Sequence, residues 1–231
     1  MKKVAILQSN YIPWKGYFDL ISHVDEFIIF DDMQYTKRDW RNRNKIKTEK
    51  GLKWMSVPVQ VKGKYHQKIR ETKIDGNKWK DSHWGLLIQN YKDTEFFVEI
   101  SDWVKPLYFE TDYDLLSDLN RQFIEKICQY LNIDTKITNS WDYQLSEGKT
   151  ERLADLCKQA GGTVYVSGPA AKDYIEKKVF DDFNIELSWF DYSNYPEYPQ
   201  NFGDFSHNVT ILDLLFNCGN KSHQFMKYIS V

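Results

Sequence analysis

The chain has 231 residues, enough for one large α/β domain or a domain with a subdomain. Its 31 Lys+Arg against 33 Asp+Glu leave a formal charge of −2, which argues against general nucleic-acid binding, a role that asks for a strongly basic surface. Cys128, Cys157 and Cys218 are odd in number and far apart, with no CxxC pair; they suit a reducing compartment and argue against a disulfide framework or a structural zinc site.

After Met1-Lys2-Lys3 the apolar run covers only residues 4–7, shorter than the roughly 7–15 apolar residues of a signal peptide. No stretch approaches the roughly 20 apolar residues of a membrane span. The expectation is a soluble cytoplasmic protein. Residues 4–7 (Val4-Ala5-Ile6-Leu7) read as a parallel strand buried on both faces. A loop of polar, aromatic and Pro/Gly residues follows, then a helix over 18–24 and a second strand over 27–30 that ends in Asp31-Asp32. Residues 52–61 read as a strand with Pro58 at an edge or bulge, and 63–73 as a polar loop or hairpin arm.

Helices are predicted over 79–91 and, with Leu116, Leu119, Phe123, Ile127 and Tyr130 at three-or-four spacing, over 115–131. A strand over 133–138 and a helix over 150–160, stopped by Gly161-Gly162, come next. A strand over 163–167 leads into Gly168-Pro169, with a helix over 171–179 and a strand over 186–190 beyond it. Residues 192–207, rich in Tyr, Pro, Asn and Gly, read as a surface arm, and 209–216 as a closing helix stopped near Gly219. The alternation predicts an α/β fold: a mainly parallel, Rossmann-like three-layer sheet with a small β/loop arm. It forms a single domain over 1–231, with a polar arm at 62–76 and the Tyr/Pro-rich arm at 192–207 as insertions.

In such a sheet ligands bind outside the strand ends. The first loop holds Gln8, Asn10, Trp14 and Tyr17 where a strand turns at Pro13 and Gly16 into a helix, an arrangement that favours an anion. The second cluster runs from Asp31 to Lys45. Between Lys37 and Lys50 there are seven basic and two acidic residues, a local +5 in a chain of −2. Arg38, Arg41 and Arg43 can grip a diphosphate bidentately; Gln34, Asn42 and Asn44 can meet hydroxyls and amides; Trp14, Tyr17 and Trp40 offer stacking faces. Asp32 is the candidate base or Mg²⁺ ligand, His83 the alternative base, and Arg41 the cation beside developing charge. Ser167 and Lys172, at the second strand–turn–helix, are candidates for a second anionic group. The bland readings are a solvated basic loop, a capping Asp and a core His. No Walker loop, dinucleotide glycine fingerprint or nucleophile elbow occurs, and no dedicated metal site is expected.

The stretch Pro13-Trp14-Lys15-Gly16-Tyr17-Phe18 resembles the loop of HIGH-motif nucleotidylyltransferases and of pantothenate synthetase, with Tyr17 where those enzymes carry a His that stabilises the phosphate under attack. Over most of the chain the resemblance is to the WbqC-like proteins. It is carried by residues 8–18, by Asp32, Gln34, Tyr35, Lys37, Arg38, Trp40, Arg41, Asn42, Arg43 and Asn44, by residues 165–169, and by Ile211-Leu212-Asp213-Leu214-Leu215-Phe216-Asn217-Cys218-Gly219. The first resemblance implies a nucleotidylyltransferase-like (HUP) sheet. The second implies a role in O-antigen or other cell-surface glycan biosynthesis, with aminoacylation of an amino sugar as a proposed activity. The expected function is therefore an amide-forming acyl or aminoacyl transferase or ligase. It would act on a nucleotide-sugar or other small phosphorylated substrate with an acyl or aminoacyl donor. The sequence names no cofactor; acyl-adenylate chemistry would bring in ATP and Mg²⁺. The rival functions are nucleotidyl transfer and a non-catalytic partner of glycan enzymes.

Overall fold

The computed structural model describes residues 1–229. Five parallel strands form the central sheet: β1 (Lys3–Leu7), β2 (Glu26–Ile29), β5 (Lys136–Asn139), β6 (Val164–Ser167) and β7 (Glu186–Trp189), in the order β5-β2-β1-β6-β7. β3 (Arg43–Thr48) and β4 (Gly51–Ser56) make a separate antiparallel hairpin. The helices are α1 (Lys15–Ser22), α2 (Lys78–Tyr91), α3 (Phe97–Phe109), α4 (Leu116–Tyr130), α5 (Thr150–Gln159), α6 (Lys177–Asp182) and α7 (Ile211–Cys218).

The sheet separates two apolar layers because alternate residues of β1 face opposite ways. Ala5 packs with α1, α4 and the α2–α3–α7 group, whereas Val4 and Ile6 pack with Leu153, Leu156 and Cys157 of α5 and Phe180 of α6. The result is the three-layer, Rossmann-like arrangement expected of alternating strands and helices. The hairpin is a small β element outside the main sheet, and it precedes the segment 62–76 where the polar arm was expected. No helix among the described residues is long and apolar enough to cross a membrane.

Four local expectations differ from the structure. The basic run carries the composition of a loop, but Arg43–Thr48 is strand β3; Asn44 and Ile46 turn inward while Lys45 lies across the rings of Trp40 and Trp54. Helix α3 is not among the predicted elements. The helix expected over 171–179 is a 3-10 turn at Pro169–Asp173 followed by the short α6. Finally, the segment 192–207 is not simply a surface arm. Tyr195 and Tyr198 are buried, and Asp213 of α7 accepts hydrogen bonds from Tyr198 Oη (2.7 Å), Gln200 Nε2 (2.6 Å) and Tyr91 Oη (2.7 Å). Lys47 Nζ adds a bond to Gln200 Oε1 at 2.9 Å. A buried carboxylate stays tolerable only with such donors, so Asp213 fixes the segment against the helices.

Candidate functional site

The loop after β1 is held from below by Asp31, at the end of β2. Asp31 is fully buried and accepts from Ser9 N (2.8 Å), Ser9 Oγ (2.7 Å) and Ser117 Oγ of α4. Burial pushes its carboxyl above the ordinary range, against those bonds and the nearby Arg41 charge. Asn120 of α4 donates to Ser9 Oγ (3.0 Å) and to the Arg41 carbonyl (2.9 Å), so one buried network grips both the first loop and the basic segment. Arg41 then donates to Asn10 Oδ1 and, at 3.4 Å, to the Ser9 carbonyl, and sits 3.6 Å from Asp39. Tyr11 N donates to the Trp40 carbonyl (3.0 Å).

The two strand-end loops therefore meet. Where they meet, Ile12 has φ 42°, a left-handed conformation costly for a β-branched residue. Asn44 Nδ2 compensates by donating to the Ile12 carbonyl (2.7 Å) and the Tyr11 carbonyl (3.3 Å). Thr210 N donates to the Lys45 carbonyl and Ile211 N to the Pro13 carbonyl, which brings the start of α7 onto the same junction.

A cavity of about 260 Å³ opens there, lined by Trp14, Trp40, Asn10, Asn44, His207 and Asn208 with Pro13 and Val209. Trp14 is braced by Tyr192 and Tyr195, with ring centroids 5.5 and 5.4 Å away. Its ring folds over Gly16, where an added β-carbon would come within 2.4 Å of the indole; the glycine is what lets the ring lie there. Trp40 packs tilted on Trp54 at 5.3 Å. His207 is half-buried, and its Nδ1 is buried with no hydrogen-bond partner among the described residues. Burial and the Lys15 charge hold its imidazole below the usual 6.5, against the pull of Glu197, so it is neutral at pH 7. Lys15 itself donates to the Pro196 carbonyl (2.6 Å) between the rings of Tyr195 and Tyr198, and burial lowers its ammonium to about 8.

Of the residues singled out from sequence, Asn10, Trp14, Trp40 and Asn44 come together at this cavity. Gln8 and Ser167 instead line a second, larger cleft on the α5 side of the sheet. The others lie elsewhere, for definite reasons. Tyr17 is a core residue whose hydroxyl is spent on the Gln8 carbonyl (3.1 Å), so it supplies neither a stacking wall nor a phosphate donor. His83 is buried among Tyr11, Trp79 and Tyr108, with Nδ1 2.9 Å from Tyr11 Oη. Burial lowers its imidazole to about 4, against a bond involving the Ser56 backbone, which makes it a neutral core histidine.

Asp32 is clamped by Lys68 Nζ (2.8 Å), Arg70 Nε (3.0 Å) and Ser140 Oγ (2.9 Å), so both of its oxygens are already engaged within the fold. Arg41 is consumed by the loop contacts above. Arg43 lies 4.0 Å from the centroid of Trp54 and donates to the Arg38 carbonyl, while Arg38 is exposed. Asn42 Nδ2 donates to the Val57 carbonyl (2.8 Å) and Gln34 Nε2 to the Tyr65 carbonyl (2.6 Å). Lys172 is exposed, over the ring of Trp189 at 5.5 Å. The basic run thus serves largely as internal scaffolding. The cavity it helps build is aromatic and amide-lined, and among the described residues neither Lys nor Arg lines it.

In the sequence His207 has a weaker claim than His83, and nothing singles out Asn208. Their one local signal was a His-Asn pair just ahead of a helix start; their place beside Trp14 follows from pairings far along the chain.

The comparisons agree with the resemblance seen in the motifs. The chain is 59% identical over 228 residues to the uncharacterized protein Rv1507c of Mycobacterium tuberculosis (strain ATCC 25618 / H37Rv), covering 99% of each chain. No solved structure matches. The model of the WbqC-like protein family matches residues 8–225, a span holding both strand-end loops, the Trp14–Trp40 cavity and the Asp213 anchor. The chain belongs to the WbqC-like protein family.

Proposed function

We propose that the chain is a cytoplasmic enzyme of cell-surface glycan biosynthesis that acylates or aminoacylates the amine of a nucleotide-linked amino sugar. The observation that carries this reading is the cavity walled by Trp14 and Trp40, with Asn10 and Asn208 amides and a neutral His207 on its lining. Indole faces pack on the C–H face of a sugar ring, and side-chain amides read its hydroxyls. A volume near 260 Å³ suits one monosaccharide unit rather than a polymer. Family membership adds the expectation of O-antigen-type chemistry.

In the reaction, the amine nitrogen attacks the carbonyl carbon of an activated acyl donor (a mixed anhydride or thioester). The N–C bond forms and the bond to the leaving group breaks, the leaving group taking its electron pair. His207, unprotonated at neutral pH, accepts the proton that the nitrogen sheds. Burial first, and the Lys15 charge second, disfavour its protonated form. Nucleotidyl transfer finds less support, because the position corresponding to the catalytic His holds the buried, already bonded Tyr17.

The test is mass spectrometry of nucleotide-linked amino sugars incubated with the protein and activated acyl donors. The reading requires an acyl mass gain on the amine that Trp40→Ala reduces at least tenfold. Turnover indifferent to Trp40→Ala would overturn the cavity assignment, and no acyl transfer to any amino sugar would overturn the reaction.

A further inference from the structure

The second cleft carries an assignment that does not depend on what fills the tryptophan cavity. From β1 the chain steps outward to β2 and β5 on one side; it then returns to the other side of β1 for β6 and β7. The order reverses between β1 and β6, and in open parallel sheets the crevice outside the strand ends at that point is where ligands enter.

Here the crevice is a cleft of about 720 Å³. Its lining is largely apolar, with Ile6, Leu7, Phe30, Leu153, Tyr165 and Tyr174. Gln8 and Ser167 bring one amide and one hydroxyl from the two strand ends. Lys149 and Arg152, from the start of α5, bring two positive charges, and among the described residues no carboxylate lines the cleft. Neither cation has a carboxylate within ion-pairing distance among the described residues. Arg152 is oriented by its Nε, which donates to the Ser146 carbonyl at 2.7 Å, and its terminal nitrogens have no acceptor among the described residues. A guanidinium held by Nε with both Nη groups unengaged is set for an anion.

We infer that this cleft binds a nucleoside di- or triphosphate, the base and ribose against the apolar walls and the phosphates on Lys149 and Arg152. Either of two sources fits that chemistry: the nucleotide carrying the sugar, or a separate nucleotide that activates the acyl group. Gln8 lines this cleft and Asn10 the tryptophan cavity, so the two flank a single turn, Gln8-Ser9-Asn10.

Isothermal titration of the full chain with ADP, ATP, UDP, adenosine, uridine and a UDP-linked amino sugar tests the assignment. The probes are run against native protein, Lys149→Gln/Arg152→Gln, Trp40→Ala, and Ala170→Trp, which fills the cleft from an exposed position; circular dichroism verifies folding of each variant. The expected result is binding of at least one di- or triphosphate, at least tenfold weaker for its parent nucleoside. Lys149→Gln/Arg152→Gln and Ala170→Trp should each weaken the sugar-free phosphate ligand at least tenfold, while Trp40→Ala leaves binding of that sugar-free ligand unchanged. Binding of the adenine nucleotides alone assigns the cleft to a separate nucleotide. Binding of UDP, with the UDP-linked sugar weakened by Trp40→Ala as well, assigns it to the carrier. Absence of millimolar binding by every phosphate, or binding that ignores both the charge and the filling variants, overturns the inference; acyl transfer that still depends on Trp40 would leave the amino-sugar reading standing alone.

Discussion

Asp31 is the residue on which both cavities hang, so its replacement by Asn gives a demanding prediction. The carboxylate accepts two bonds from Ser9 and one from Ser117 at full burial. Asn can keep the bond on one oxygen, but its NH₂ would face two hydroxyls now donating to the other. Ser9 Oγ already accepts from Asn120, and turning it to accept from the new NH₂ as well would cost its own O–H the acceptor it has in Asp31. Each bond to a charged acceptor is worth about 1.5–3 kcal/mol, and relief of the buried charge, visible in the raised carboxyl, offsets part of the loss. The net cost should be about 2 kcal/mol, or about 4–8 °C in melting temperature for a chain of this size. Ser117→Ala, which removes one donor and leaves two, should cost less. Urea unfolding at pH 7 measures both. An Asp31→Asn stability within about 0.5 kcal/mol of native, the level of an ordinary surface change, would refute the view that this network holds the loop.

Four further outcomes are expected. His207→Gln should lower turnover by about 10²–10⁴-fold and abolish the acidic limb of the rate profile; in native protein that limb should lie below pH 6.5, because the folded imidazole is depressed. Lys15→Met, by removing the neighbouring charge, should move the limb upward, and an unmoved limb would exclude the coupling. Gly219→Ala should cost about 2–5 kcal/mol in thermal or urea unfolding, since the residue has φ 51° and a β-carbon would sit 2.0 Å from Phe96, strain and overpacking together. His83 titrates near 6.5 unfolded and about 4 folded. Its contribution should therefore be fully present above pH 6.5 and lost as pH falls toward 4, up to about 3 kcal/mol; His83→Gln should lack that component, and identical pH slopes in both proteins would contradict the assignment.

The centre of the sheet was legible because β1, β2 and β6 are short, largely apolar runs followed by loop-forming residues, as in Val4-Ala5-Ile6-Leu7; β5 and β7 mix apolar with polar residues. The Leu116–Tyr130 helix announced itself through a stripe at helical spacing. β3 escaped because Asn44 and Lys47 are buried along with Ile46, so two of its three buried residues are polar and no apolar alternation shows. The Phe97–Phe109 helix does carry Ile100, Val104 and Leu107 on one face, but Pro106 and flanking aromatics mask the pattern.

For the site, residue types were readable and roles were not. Arginines that suit phosphate also suit carbonyls and indoles, and Arg41 and Arg43 are used that way inside the fold. His207 reaches the cavity through Asp213, Gln200 and the backbone bonds at Thr210 and Ile211, contacts that no local pattern encodes. Lys149 and Arg152 reach the switch-point cleft only because α5 starts above the ends of β1 and β6.

The central claim is that the Trp14–Trp40 cavity receives the sugar. A crystal structure with a bound nucleotide-linked amino sugar tests it directly: the sugar ring should lie against both indoles with its amine about 3 Å from His207. A sugar ordered elsewhere, with only solvent between Trp14 and Trp40, would contradict it.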